Sequence, residues 1–182
     1  MAGNPVLGFL SVQPTSAGPH ATVTKMLRLL GIAVLIGAAF SVLNALLIMV
    51  MGTAYFDAGV AGAAAASAVV SLVISLAIAA AICFWITYTV TAWNNRDPRG
   101  STHALVLAIL ATVFGAIGVL GGLTGAALGA AIFGSGATAL YMVINGLGLL
   151  VSALEAYCGI MILMNRSKAT GTGATTPGAT GH

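Results

Sequence analysis

One carboxylate in this chain stands where a carboxylate is costly. Glu155 lies inside a long apolar run, 11 residues before Arg166. At the helical rise this is roughly 16 Å from the basic flank, near the middle of a hydrocarbon layer. An ionised carboxylate at that depth costs at least a few kcal/mol, so the side chain is expected to face other helices and to be protonated or paired. Spacing offers Ser152 and Asn145 on the same segment as partners, and Asn44, Ser67, Ser71 and Ser75 on others. No Lys or Arg lies within an apolar run to neutralise it. Two chemistries fit: a proton or cation site of the kind used by coupled transporters and channels, or a protonated acid that hydrogen-bonds across a helix pair as structural glue.

Little else in the chain points to chemistry. Cys83 and Cys158 both fall in apolar runs, where thiols act as small fillers. His20, His103 and His182 are scattered, so no metal site is expected. There is no phosphate loop, nucleophile elbow or zinc-ligand spacing, and the polar loops are too short for a catalytic domain. The expectation is a protein that is not an enzyme and needs no cofactor. Nucleic-acid binding is also not expected, because the net charge of +3 is accounted for by basic residues flanking apolar runs.

The elements that would hold Glu155 follow from composition. Of 182 residues, 59% are hydrophobic and 5% charged, whereas a soluble domain carries about 25% charged residues. So few charges cannot solvate a globule, and a surface facing lipid removes the need. The N-terminal 20 residues contain no Lys or Arg, and the apolar patch at 6–10 is too short for a signal sequence. The charge-free runs then predict an all-α, polytopic integral membrane protein with four transmembrane helices, near 29–51, 63–93, 104–133 and 138–164. The run from Ala104 to Leu154 is too long for one span and is expected to break at Gly134-Ser135-Gly136. Turns are expected at Gly52–Gly59, which carries Asp57, and around Pro98, with Ser101 or Thr102 capping the third helix. Residues 1–24 read as a cytoplasmic segment, 25–165 as the four-helix domain and 166–182 as a disordered cytoplasmic tail rich in Gly, Thr and Ala.

All six basic residues, Lys25, Arg28, Arg96, Arg99, Arg166 and Lys168, fall in the N-terminal flank, the middle loop and the C-terminal flank. Four spans put these three regions on one side, and basic residues mark the cytoplasmic side, so both termini are expected inside the cell, at the plasma membrane. Trp93 is expected at the inner boundary, with Tyr55, Phe133 and Tyr141 near the outer one. The Ala- and Gly-heavy composition fits a GC-rich bacterial genome.

Small residues form stripes. In the third span Ala104, Ala108, Ala111, Gly115, Gly118, Gly122, Gly125 and Gly129 alternate in steps of three and four. In the fourth, Tyr141, Asn145, Gly148, Ser152, Glu155 and Gly159 repeat the alternation, so a seam-to-seam hairpin is expected. The second span has a strict step of four, Ala63, Ser67, Ser71, Ser75, Ala79, Cys83, Thr87 and Thr91. Gly37, Ser41 and Asn44 make a shorter polar patch in the first. The seams predict an accessory or scaffold subunit whose partners are the lipid bilayer and other membrane proteins or itself. A small proton- or cation-coupled transporter or channel using Glu155, and a phage holin-like pore former, are the alternatives. The chain is unlike the small multidrug resistance transporters, whose essential acid lies in the first span, where only Asn44 is strongly polar here.

Overall fold

The computed structural model describes residues 5–15, 17–55, 58–132 and 135–171, with the side chains at 48, 51–55, 58, 60–61, 125–132 and 135–142 outside that description. Four α-helices account for nearly all of it: α1 (Pro19–Tyr55), α2 (Ala58–Asn94), α3 (Pro98–Ile132) and α4 (Ser135–Gly171). A 3₁₀ turn at Gly8–Leu10 precedes them. All four are long and apolar enough to cross a membrane, which marks a multi-pass membrane protein. They also carry large apolar residues outward, among them Val70, Val73, Ile78, Phe114, Ile117, Leu120 and Leu150. Helices apolar on every side are at home only in a protein core or in lipid.

The helices run up and down in chain order and close a ring, α1 on α2, α2 on α3, α3 on α4 and α4 back on α1. The α3–α4 interface is the most extensive and the α2–α3 interface the thinnest. At 37 residues, α1, α2 and α4 would each run about 55 Å, beyond a hydrocarbon core of about 30 Å, so each helix continues past the apolar layer or tilts within it.

The helix ends correct several expectations. The turn around Asp57 is shorter than Gly52–Gly59, since α1 runs to Tyr55 and α2 begins at Ala58, while Asp57 itself lies outside the described residues. The α3–α4 break falls between Ile132 and Ser135, with Phe133 and Gly134 outside them. The third helix starts at Pro98 rather than after Ser101. Asp97 Oδ1 accepts the Arg99 N–H at 2.9 Å, making Asp97 the N-cap and Pro98 the first helical residue, where its missing N–H has no bond to lose. Upstream, α2 ends in a Schellman motif: the Asp97 N–H reaches Ala92 O at 2.9 Å and the Arg96 N–H reaches Trp93 O at 3.0 Å. Arg96 holds the left-handed position at φ 57°. The turn is tight because Gly100 lies against the last turn of α2, where a Cβ would come within 2.8 Å of the Trp93 and Ala92 backbone. At the other end of the chain, Ser167–Gly171 continue α4 rather than joining a disordered tail; residues 172–182 lie outside the described residues.

The N-terminal segment, taken from sequence as a flank, is part of the bundle. Phe9 is fully buried beside Leu27, Leu30, Ile86 and Val90. It fills a notch at Gly31, where a Cβ would lie 2.5 Å from its ring. Its N–H donates to Thr87 Oγ1 at 3.2 Å, and Arg28 Nη2 donates to Leu10 O at 2.8 Å. Trp93 packs inward in the same region: it is 4% exposed, stacks on His20 with ring centroids 4.9 Å apart, and donates Nε1–H to His20 O at 3.1 Å.

Candidate functional site

Glu155 stands on α4 between two contact faces. Ser152 and Gly159 meet α3, and Val151 meets α1, where a Cβ on Gly37 would lie 3.6 Å from Val151 Cγ1. A residue three positions after Ser152 and four after Val151 falls on the strip between these faces, toward the bundle axis. One and two turns further toward the C-terminus the same side holds Cys158 and Ile162, both 0% exposed. The carboxylate is half-buried and, among the described residues, takes part in no hydrogen bond or ion pair. Cys158 lies within its electrostatic reach.

The structure separates the polar residues grouped with Glu155 by sequence. Ser152 turns to α3, its Oγ lying where a Cβ on Gly118 would fall. Asn145 is ten residues away on the same helix, about 15 Å along the axis; it is half-buried and has a partner of its own. Asn44 is exposed. Because Gly37 pairs with Val151 across antiparallel helices, Asn44 comes level with Asn145 rather than with Glu155. Ser67 is exposed and donates to Ala64 O at 2.9 Å within its own helix.

The packing residues gather along α3 and α4. A Cβ on Gly115 would lie 2.5 Å from Ala156 N and 2.6 Å from Ser152 O; one on Gly159 would lie 2.6 Å from Ala108 O and 2.8 Å from Thr112 N. Each helix thus lends a glycine to the other's backbone, the close approach that small residues permit. Gly122 is looser, its Cβ position 3.3 Å from Leu149 Cβ. Gly125, Gly129 and Tyr141 lie outside the described side chains. The α4 face against α3 is Leu149, Ser152, Ala156 and Gly159, so Gly148 and Glu155 are rotated off it, toward the axis. Steps of three and four accommodate either face; the shallow groove at Gly122 takes Leu149 and decides between them.

The step-of-four row on α2 does not form one face either. Four residues advance about 400° on a helix of 3.6 residues per turn, so such a row winds by about 40° each step. Ala63, Ser67 and Ser71 are exposed, Ser75 and Ala79 half-buried, Cys83 fully buried, and Thr87 packs under the N-terminal segment. The exposed part borders an open groove formed by Ala66, Ser67, Val70, Ser71, Ile74 and Ser75.

The six basic residues share one end of the bundle with the described N-terminal segment and the end of α4. Arg166 Nε donates to Ser101 O at 2.8 Å and Ser101 Oγ at 3.0 Å, tying α4 to α3. Arg28 is tied to the N-terminal segment, while Lys25, Arg96, Arg99 and Lys168 are exposed. Two polar clusters at this end were not visible in the sequence. Thr24 Oγ1 donates to Asn94 Oδ1 at 3.0 Å, and Asn94 Nδ2 donates to Gln13 O. Trp85 Nε1 donates to His103 Nδ1 at 2.9 Å, with Tyr88 edge-on to the same imidazole. Their members lie far apart in the chain, and no local spacing signals them. Comparison with family models, with curated proteins and with solved structures finds no match.

Proposed function

We propose that the chain is a non-enzymatic accessory subunit of the plasma membrane that docks a transmembrane helix of another membrane protein on the exposed half of α2. The observation that carries this is the groove at Ser67, Ser71 and Ser75, small and hydroxyl-bearing, whose other lining residues are Ala66, Val70 and Ile74. Ser71 and Ser75 make no hydrogen bond among the described residues. In hydrocarbon, hydroxyls and small side chains favour a closely approaching helix over lipid. Gly115, Gly118 and Gly159 of α3 and α4 do not support such docking, because they are already used within the chain. Both termini are assigned to the cytoplasm, since the basic residues that resist translocation all sit at the terminal end.

A photo-crosslinker at Ser71, compared with one at Ile117 on the exposed face of α3, tests the docking in native membranes. The expected result is a discrete heteromeric adduct from position 71 alone, lost on Ser67→Leu. Equal adducts from both positions, or only dimers of the chain, would remove the reading. Reporter fusions at Asp97 and His182 test the orientation and should report the cytoplasm.

A further inference from the structure

The outer face of the α2–α3 pair carries polar groups that the packing of the bundle does not use. Trp85 Nε1–H donates to His103 Nδ1 at 2.9 Å. An indole N–H can only donate, so Nδ1 is the acceptor and the neutral imidazole carries its hydrogen on Nε2. Among the described residues that N–H meets no acceptor. Tyr88 stands perpendicular to the same ring with centroids 5.2 Å apart. It is 41% exposed, and its hydroxyl makes no hydrogen bond among the described residues. Arg99 precedes His103 by four residues and so shares its face of α3. It is exposed, and among the described residues only its backbone N–H is engaged, by Asp97.

The level of these groups in the bilayer selects their ligand. With 35 residues, α3 runs about 52 Å against an apolar layer of about 30 Å. His103 is five residues past Pro98, about 8 Å from the helix start, at the depth of lipid headgroups. Toward the middle of the bundle the polar groups give way to outward-facing apolar side chains, Phe84 one turn from Tyr88, and Val106 and Leu110 one and two turns from His103. We propose that this face binds an anionic phospholipid. Its phosphate oxygens accept from Arg99, His103 Nε2–H and the Tyr88 hydroxyl, and its acyl chains lie on Phe84, Val106 and Leu110. An anionic headgroup fits better than a zwitterionic one because Asp97, the one acid in the α2–α3 turn, is turned to cap α3, while Arg96 and Arg99 are both exposed. The site requires only that the helices stand in a bilayer. It lies in the other half of α2 from Ser67, Ser71 and Ser75, so it stands or falls separately from docking there.

Native mass spectrometry of the full chain in mild detergent tests the site, with phosphatidylglycerol and phosphatidylcholine of identical acyl chains added in equal amounts. The parent should retain phosphatidylglycerol in clear excess. Arg99→Gln should lower that retention about fivefold, and Tyr88→Phe, which removes only the hydroxyl, should lower it by less. Lys25→Gln removes an equal charge from α1 and should leave it unchanged. Equal retention of the two lipids by the parent overturns the proposal. So does an equal loss in Arg99→Gln and Lys25→Gln, which would mean that net charge alone attracts the lipid. Where Arg99→Gln fails to fold, Tyr88→Phe carries the comparison, and an undiminished retention there overturns it. Excess inorganic phosphate should not displace the lipid, because the acyl chains also hold it; displacement would assign the donors to a free anion and overturn the lipid site.

Discussion

The two halves of this bundle are held by different means. Near the termini, large side chains fill the axis and polar groups bridge helices: Phe9 in the Gly31 notch, Trp93 on His20, Thr24 on Asn94, Trp85 on His103 and Arg166 on Ser101. Beyond Glu155 the described contacts set glycines against side chains of the facing helix, Gly37 against Val151, Gly118 against Ser152 and Gly122 against Leu149, while a Cβ at Gly148 would meet nothing within 4 Å. In water the hydrophobic effect would close such a space. In lipid the surroundings are as apolar as the side chains, so only packing and hydrogen bonds hold helices together. Among the described residues, the large interlocking side chains gather at the terminal end.

The sharpest way to break this contrast is to add bulk to a glycine in each region. Gly115→Leu and Gly159→Leu would drive side chains into the backbone of the facing helix, which cannot yield as a side chain would. Each should destabilise by more than about 3 kcal/mol, the range of severe overpacking, and leave α3 and α4 unpaired. Gly148→Leu, into open space, should stay within about 1 kcal/mol of the parent. Thermal unfolding in one detergent compares all three. A Gly148→Leu protein as damaged as the other two would mean that the far half is packed and the contrast is wrong.

Next in size is the N-terminal segment. Phe9→Ala removes a fully buried ring and should cost about 3–5 kcal/mol if the segment is as integral as its burial implies. Gly31→Ala should be costly in the parent, because the new methyl group meets the Phe9 ring, yet nearly neutral in the Phe9→Ala background. A coupling of more than about 1 kcal/mol in that double-mutant cycle would show the two acting as one joint. Additive effects would mean that Phe9 is only loosely seated.

How far the sequence reveals these features depends on how local their causes are. The four helices are legible because charge-free length is a property of consecutive residues, and the α3–α4 break because Gly134-Ser135-Gly136 is the one cluster of small turn residues in its run. The approach of α3 to α4 shows in Gly115, Gly118 and Gly122, since close backbones require small side chains. The matching face of α4 does not show, because Ser152 and Gly159 fit a stripe through Glu155 as well as one through Ala156, and only the partner's shape selects. Nor does the docking of Phe9, whose notch is at Gly31 and whose N–H donates to Thr87. The Asp97-Pro98 start of α3 was legible in principle: an acid followed by proline is a helix-opening pair, and it outranks the hydroxyls at Ser101 and Thr102. Glu155 was recognisable as costly from its position alone, but the absence of a bonding partner needed the arrangement of three helices.

The smallest expected effect lies in the α2–α3 turn, at the terminal end. Arg96 occupies the left-handed position that closes the Schellman motif, where a residue with a Cβ is disfavoured by roughly 1–2 kcal/mol. Arg96→Gly removes that strain, but a glycine also enlarges the freedom of the unfolded chain, so the net gain should be only about 0.5–1 kcal/mol. Arg96→Lys keeps both the charge and the Cβ and should leave stability unchanged, which separates backbone strain from electrostatics. Because Lys25, Arg28, Arg99, Arg166 and Lys168 remain, the orientation reported by a fusion at His182 should not change in either variant. A stabilised Arg96→Gly places the strain in this turn, where the Gly100 contact and the Asp97 cap hold it in place. A destabilised Arg96→Gly with neutral Arg96→Lys would instead show that the side chain makes an anchoring contact at the membrane surface which outweighs the relief of its backbone.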